Sequence, residues 1–176
     1  MKAIIEAAFS AEVDFLKALV RVPSDNPPGD CAPIAETAAE HLEALGFRVE
    51  RHPVPEPFVR QNGMRSVTNL IVRHVFGEGK GPVIALNAHG DVVPPGSGWT
   101  MQPYGAEEKG GAIYGRGAAV SKSDFATYAF ALKALIASGL PLDGTVELHL
   151  TFDEEAGGFV GPAFLIEQGL SKPDYA

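Results

Sequence analysis

Hydrophobic residues along this chain change repeatedly between a helical and an extended spacing. Ile5, Phe9 and Val13 illustrate the first pattern, because apolar residues three or four positions apart line one face of a helix. Short apolar runs bounded by glycine and proline illustrate the second pattern, which is typical of buried strands. The patterns predict helices over residues 3–20, 32–44, 123–138 and 160–168, strands over residues 47–54, 68–76, 82–88 and 146–152, and the start of a further strand over residues 172–176.

Strands that alternate with helices predict an α/β fold, a three-layer sandwich in which helices cover both faces of a mostly parallel sheet. One strand departs from this pattern, because Glu147, His149 and Thr151 alternate with apolar residues. One side of that strand is therefore expected to be partly solvated or to lie near an edge. Residues 92–117 are rich in glycine and show little periodicity, which predicts a long functional loop.

Composition limits the classes of partner. The chain has 176 residues, of which 45% are hydrophobic, and this suits one globular domain with its own core. Fourteen basic and 22 acidic side chains give a net charge of −8. Nucleic acid and an anionic membrane surface are not expected as partners, because both require a basic face on the protein.

The cysteine content and the N-terminal segment indicate a location. Cys31 is the single cysteine, so the chain has no internal disulfide, as in proteins of reducing compartments. Glu6, Glu12 and Asp14 interrupt the apolar residues near the N-terminus, which therefore does not resemble a secretory signal. No apolar run approaches the ~20 residues of a membrane span. The expected location is the cytoplasm.

Two polar clusters stand at the ends of predicted buried strands, His89-Gly90-Asp91 after the third strand and Asp153-Glu154-Glu155 after the fourth. In parallel α/β sheets, ligands and catalytic groups gather beyond the carboxyl ends of the strands. An imidazole with several carboxylates suits a divalent metal, and zinc accepts both kinds of ligand. The chain is therefore expected to be part of a metal-dependent hydrolase.

Each cluster also has a simpler explanation. On an extended backbone His89 and Asp91 point to the same side, so the carboxylate can hold one tautomer of the imidazole while the other ring nitrogen faces a metal. The alternative is a strand end with a solvated aspartate. Of Glu154 and Glu155, one could bind a metal while the other acts as general base on a water molecule. The alternative is a solvated run of acids.

Taken together, these segments resemble the family of dinuclear zinc hydrolases that contains acetylornithine deacetylase, succinyl-diaminopimelate desuccinylase and aminoacylase. The resemblance covers nearly the whole chain and is most specific over residues 83–161. The matching segments are His89-Gly90-Asp91-Val92-Val93-Pro94, Trp99-Thr100 with Pro103-Tyr104, Ile113-Tyr114-Gly115-Arg116-Gly117-Ala118, and Asp153-Glu154-Glu155-Ala156-Gly157-Gly158.

The resemblance implies a role for each matching residue. His89 would bind one metal and Asp91 would orient it, Glu154 would be the general base for the attacking water, and Glu155 would bind the other metal. The implied cofactor is a pair of Zn²⁺ ions, with Co²⁺ or Mn²⁺ as alternatives. The implied substrate is an N-acyl amino acid or a small peptide, cleaved at an amide bond.

The chain departs from the family pattern at one ligand position. Family members carry an aspartate that bridges both metals three residues beyond the Gly-Arg-Gly segment, and this chain has Val120 there. Asp124 follows four residues later on the same helical face and is a tentative replacement ligand. Its alternative role is to complement the dipole in the first turn of a helix.

Length is the second departure, because family members are much longer. Residues 1–176 are expected to be the N-terminal part of one catalytic, metal-binding domain, truncated so that the C-terminal part of that domain and the lid and dimerisation domain are absent. The main functional hypothesis is a zinc-dependent amide hydrolase, with an isolated fragment that turns over poorly. The alternative is a catalytically inactive fragment that acts as a non-catalytic binding or assembly module, and a homo-oligomer is compatible with either.

Overall fold

The computed structural model describes residues 1–176 as a four-stranded sheet with helices and a separate two-stranded ribbon. None of the helices is both long enough and apolar enough to cross a bilayer. The helices are α1 (Lys2–Arg21), α2 (Ala32–Ala44), α3 (Glu56–Gln61), α4 (Lys122–Ala137) and α5 (Pro162–Glu167), and the strands are β1 (Val49–Pro53), β2 (Thr68–Phe76), β3 (Val83–His89), β4 (Glu107–Lys109), β5 (Ala112–Tyr114) and β6 (Gly144–Thr151).

Every predicted helix and every predicted strand up to residue 152 is present within a few residues of its expected position, whereas one helix and one hairpin were not predicted. The helix α3 begins at a pair of prolines, which suit the first turn of a helix because its N–H groups have no partner within the helix. The strands β4 and β5 form a hairpin inside the segment predicted to be a loop. Three-residue strands are too short to show a hydrophobic period.

The main sheet has the strand order β1-β2-β6-β3 and is mixed. Strands β3 and β6 are parallel, whereas β1 with β2 and β2 with β6 are antiparallel. The α/β class is confirmed, and the predicted parallel pairing lies in the half that carries both polar clusters. Residues 77–82 reverse the chain between β2 and β3, so β6 cannot be parallel to both of them. The predicted further strand begins as a parallel bridge between Tyr175 and Ile84.

The hydrophobic core lies between the sheet and three helices. Helix α2 packs against β1 and β2, α4 packs against β3 and β6, and α1 packs against both helices. Leu148 and Leu150 of β6 face this core together with Leu70 and Val72 of β2. This packing fixes β3 and β6 side by side, with their carboxyl ends at the same edge of the sheet.

The polar face of β6 is buried, so the expectation that it is partly solvated was wrong. Glu147 and His149 are only 5% and 4% exposed. Arg73 of β2 donates from Nε to Glu147 at 2.7 Å, and Ser171 donates to the same carboxylate at 2.5 Å. His149 Nε2 lies 2.8 Å from Glu147. A buried carboxylate is tolerated here because donors surround it.

This buried network predicts a loss of stability in acid. Burial lowers the pKa of His149 more than Glu147 raises it. As the pH falls below about 6.5, His149 is therefore protonated in the unfolded chain before it is protonated in the folded chain. The free energy of unfolding consequently decreases as the pH drops. Glu147 acts in the same direction at lower pH, because burial is outweighed by hydrogen bonds from Ser171, His149 and Arg73, which lower its pKa.

The measurement is urea unfolding between pH 8 and pH 5 for the wild type and His149→Gln, which retains an amide donor. The wild type should lose more stability, with a difference in slope of at most about 1.4 kcal/mol per pH unit for one titrating group. Parallel curves for the two proteins would contradict the prediction.

Candidate metal centre

Three of the predicted site residues converge at the carboxyl ends of β3 and β6. His89, Glu154 and Glu155 each offer one ligand atom, and these atoms all lie within 4.8 Å of one another. His89 Nε2 is 3.8 Å from Glu154 Oε2. The parallel register pairs His89 with Thr151, so the turn that follows β6 places both glutamates beside the imidazole. The clusters that stand 62 residues apart in sequence therefore share one site.

Asp91 connects the two halves of this site. Its side chain is fully buried, and its carboxylate accepts the backbone N–H of Glu154 and of Glu155, each at 3.2 Å. His89 Nδ1 donates to the backbone carbonyl of Asp91 at 3.0 Å and lies 3.3 Å from its carboxylate. Because Nδ1 carries the proton, the lone pair of Nε2 is directed towards the glutamates.

The site favours a cation. Burial disfavours the charged form of His89, but the neighbouring Asp91 outweighs burial and raises the pKa of the imidazole, with a smaller contribution from Glu154. The Glu154 side chain is 65% exposed and Glu155 is also exposed. An ion can therefore reach the site from solvent, where the imidazole and the two glutamate side chains lie side by side.

Asp124 lies outside this group. It occupies the first turn of α4 and accepts a hydrogen bond from Ser121 Oγ at 2.5 Å. Only His89, Glu154 and Glu155 bring their ligand atoms within 4.8 Å of one another. The first turn of a helix is where an acid complements the helix dipole, which is the alternative role predicted for Asp124. Val120, at the family's bridging position, is 67% exposed.

Asp153 was not singled out by the sequence, yet it holds the turn that carries the glutamates. It is 1% exposed, and Val160 donates its backbone N–H to Oδ2 at 2.6 Å. Burial raises its pKa. A Cβ on Gly161 would lie 2.0 Å from Asp153 Oδ1, so only glycine fits there. In sequence Asp153 is one of three adjacent acids, and nothing distinguishes the buried one.

Lys122 is another buried charged residue that the sequence did not indicate. Its side chain is fully buried and donates to the backbone carbonyls of Leu19 and Val22 at 3.1 and 2.9 Å. Burial lowers its pKa to about 8. Lys122 thus joins the start of α4 to the end of α1. Lysine is rarely buried, so sequence reasoning expects it at the surface.

The aromatic residues of the glycine-rich loop act as packing anchors. Tyr104 donates its hydroxyl to Asp25 at 2.5 Å, and the Arg116 guanidinium lies 5.5 Å from the centre of the Trp99 ring. Arg116 also donates to the Pro95 carbonyl at 3.3 Å. The loop is therefore tied to itself and to the segment that precedes α2.

Comparison with known proteins gives consistent matches. The model of the family described as peptidase family M20/M25/M40 matches residues 85–176. The succinyl-diaminopimelate desuccinylase of Gluconacetobacter diazotrophicus is 34% identical over 168 residues, which cover 95% of this chain and 41% of that protein. The desuccinylase of Rhodospirillum centenum is 37% identical over 147 residues, which cover 82% of this chain and 34% of that protein.

Solved structures show the same architecture. Human carnosine dipeptidase 1 superimposes with a TM-score of 0.70 at 25% identity, covering 93% of this chain and 36% of that one. An M20 family metallo-carboxypeptidase from Sulfolobus solfataricus gives a TM-score of 0.67 at 26% identity, covering 94% and 35%. The chain thus spans about a third to two fifths of the length of these relatives.

Proposed function

The chain belongs to peptidase family M20/M25/M40, and on that premise we propose that it contributes one part of the catalytic domain of a metal-dependent amide hydrolase. The substrate class we propose is an N-acyl amino acid or a small peptide. The observation that supports this proposal is the convergence of His89, Glu154 and Glu155 within 4.8 Å. Relatives named as desuccinylases and as a dipeptidase act on this chemical class.

The donor set fits a divalent metal, and we propose Zn²⁺, with Co²⁺ or Mn²⁺ as substitutes. Zinc accepts both imidazole nitrogen and carboxylate oxygen, and His89 and Glu155 offer one ligand of each kind. When bound, such an ion supplies Lewis-acid polarisation of the scissile carbonyl and activation of water. His89 would hold one ion and Glu155 the other. By family resemblance two ions are expected, although Val120 replaces one shared ligand.

Of the remaining residues, Glu154 would transfer a proton, and Asp91 would orient the side chains around it. Glu154 has an exposed carboxylate, 3.8 Å from His89 Nε2, so it is placed to accept a proton from the attacking water and to pass it to the leaving amine. Asp91 keeps His89 in the tautomer whose Nε2 is free, and it fixes the backbone of both glutamates. In this assignment the buried Asp91 orients its neighbours, whereas the exposed Glu154 and Glu155 act on the water and the ion.

The first test is zinc binding by the purified chain. Calorimetric titration after treatment with a chelator should give at least one equivalent of bound Zn²⁺. His89→Ala should reduce the affinity by more than the roughly 10- to 100-fold that accompanies loss of a residue supporting a ligand. His74→Gln is the matched control, since His74 packs edge-on against Phe76 on β2, away from the site.

The result would contradict the proposal if the wild type bound no zinc, or if His89→Ala and His74→Gln bound it equally. Hydrolysis of N-succinyl and N-acetyl amino acids, followed by release of the free amine, then tests the reaction itself.

A non-catalytic binding or assembly module is the second candidate, and Val120 is the observation that favours it. An exposed valine at the bridging position leaves only His89 and Glu155 as ligands for a centre that is expected to hold two ions. If the dialysed chain binds no zinc, this second function is favoured, since slow turnover by the isolated fragment is expected under either function.

A further inference from the structure

The segment between α1 and α2 lies directly beneath the candidate metal centre. Ser24 Oγ donates to the backbone carbonyl of Gly90 at 2.6 Å, and Val92 N–H donates to the backbone carbonyl of Ser24 at 3.0 Å. Asn26 N–H donates to the backbone carbonyl of Val92 at 2.8 Å. These bonds flank Asp91 on both sides and hold residues 24–26 against it as a short parallel bridge.

Asn26 reaches the Asp91 carboxylate itself. Its side chain is 5% exposed, and Nδ2 donates to Asp91 Oδ2 at 2.9 Å. The same oxygen accepts the N–H of Glu155, while Oδ1 accepts the N–H of Glu154 and lies near His89. Donors from three separate parts of the chain therefore surround one buried carboxylate. Asn26 is the only side-chain amide among them.

We propose that Asn26 is a positioning residue of the metal centre and acts through Asp91, an inference that rests on the proposed function. A carboxylate can rotate about its Cβ–Cγ bond, and each of its contacts to the site depends on that angle. The amide of Asn26 holds the angle at which Oδ1 faces His89 and Glu154 while Oδ2 faces Glu155. Without this donor the carboxylate turns, and His89, Glu154 and Glu155 lose their common orientation.

The chemistry of the position requires an uncharged donor. An aspartate at position 26 would place a second carboxylate about 3 Å from the first, and like charges at that separation repel strongly in a buried site. A lysine would be too long, because Met64 closes the space beside the amide with its sulfur 3.7 Å from Nδ2. Asparagine combines a short side chain with an N–H donor.

The test compares Asn26→Ala with Ser171→Ala, because each removes one hydrogen-bond donor to a buried carboxylate, Asp91 in the first case and Glu147 in the second. The first readout needs no metal. Exchange of the Glu154 and Glu155 amide hydrogens, measured by NMR, should be about ten-fold faster or more in Asn26→Ala than in Ser171→Ala, beyond any change in global stability. Equal exchange in the two variants would overturn the proposal.

The second readout is binding of Co²⁺, followed by its visible absorption. Asn26→Ala should weaken Co²⁺ binding about 10- to 100-fold and alter the spectrum, whereas Ser171→Ala should leave both unchanged. In an Asp91→Asn background, Asn26→Ala should have no further effect, because the two residues act as a unit. Additive effects would overturn the proposal.

The two readouts test the proposed function and the role of Asn26 independently. If the wild type binds no Co²⁺ or Zn²⁺, the proposed function fails, while amide exchange still decides the role of Asn26. If Asn26→Ala does not fold, Asn26→Ser replaces it in the same comparison, since serine is shorter than asparagine by the atoms that reach Asp91.

Discussion

Asp91→Asn is expected to weaken zinc binding about 10- to 100-fold and to lower the free energy of unfolding by roughly 1–3 kcal/mol. The substitution preserves shape and removes charge. An amide presents one acceptor oxygen where the carboxylate presents two, and its own N–H₂ group then faces the N–H of Glu154 or Glu155. One backbone donor is left buried without a partner, and His89 loses the charge that holds its orientation.

Calorimetry with Zn²⁺ and urea unfolding without metal measure the two effects separately. Asp14→Asn is the matched control, because Asp14 is an exposed residue of α1 and the same amide replacement there touches neither the core nor the site. If Asp91→Asn bound zinc with wild-type affinity, the role given to Asp91 in organising the candidate centre would be wrong.

Val120→Asp is expected to raise the number of bound zinc ions and to strengthen binding at least about ten-fold, or about 1.4 kcal/mol. The resemblance to the dinuclear hydrolases implies a bridging aspartate at this position, and a shared carboxylate is what holds two ions close together. Because the Val120 side chain is 67% exposed, an aspartate there leaves the core intact and should change stability little.

Elemental analysis of the dialysed protein gives the stoichiometry for the wild type, Val120→Asp and Val120→Asn. The asparagine variant is the control, since it has the same size without the charge. Asp124→Asn should leave metal binding unchanged in either background, because Asp124 lies outside the ligand group and bonds to Ser121. If Val120→Asp binds no more zinc than the wild type, position 120 does not belong to the metal site.

Much of the fold could be predicted because local patterns determine it. The helical spacing of apolar residues gives α1, and the apolar run before His89 gives β3. The direction of each strand relative to its neighbours could not be predicted from local patterns. Whether β2 is parallel or antiparallel to β6 depends on which strands become neighbours, and a sequence pattern does not contain that information.

The candidate site, too, could be predicted only in part. The residue types at positions 89, 154 and 155 indicate metal chemistry, and their convergence follows once both strands are known to end at one edge. Asn26 and Lys122 could not be recognised from the sequence, because asparagine and lysine are ordinary surface residues until the fold buries them. Their partners lie 65 and about 100 residues away.

The sequence by itself determined the α/β class, the positions of the helices and longer strands, and the ligand types of the centre, because these depend on neighbouring residues and their periodicity. Only the tertiary structure decided which acids are buried, which strands are antiparallel and which donors hold Asp91 in place. Those properties come from contacts between distant segments, whose energies depend on desolvation and on the exact direction of each donor, and neither quantity is defined until the chain is packed.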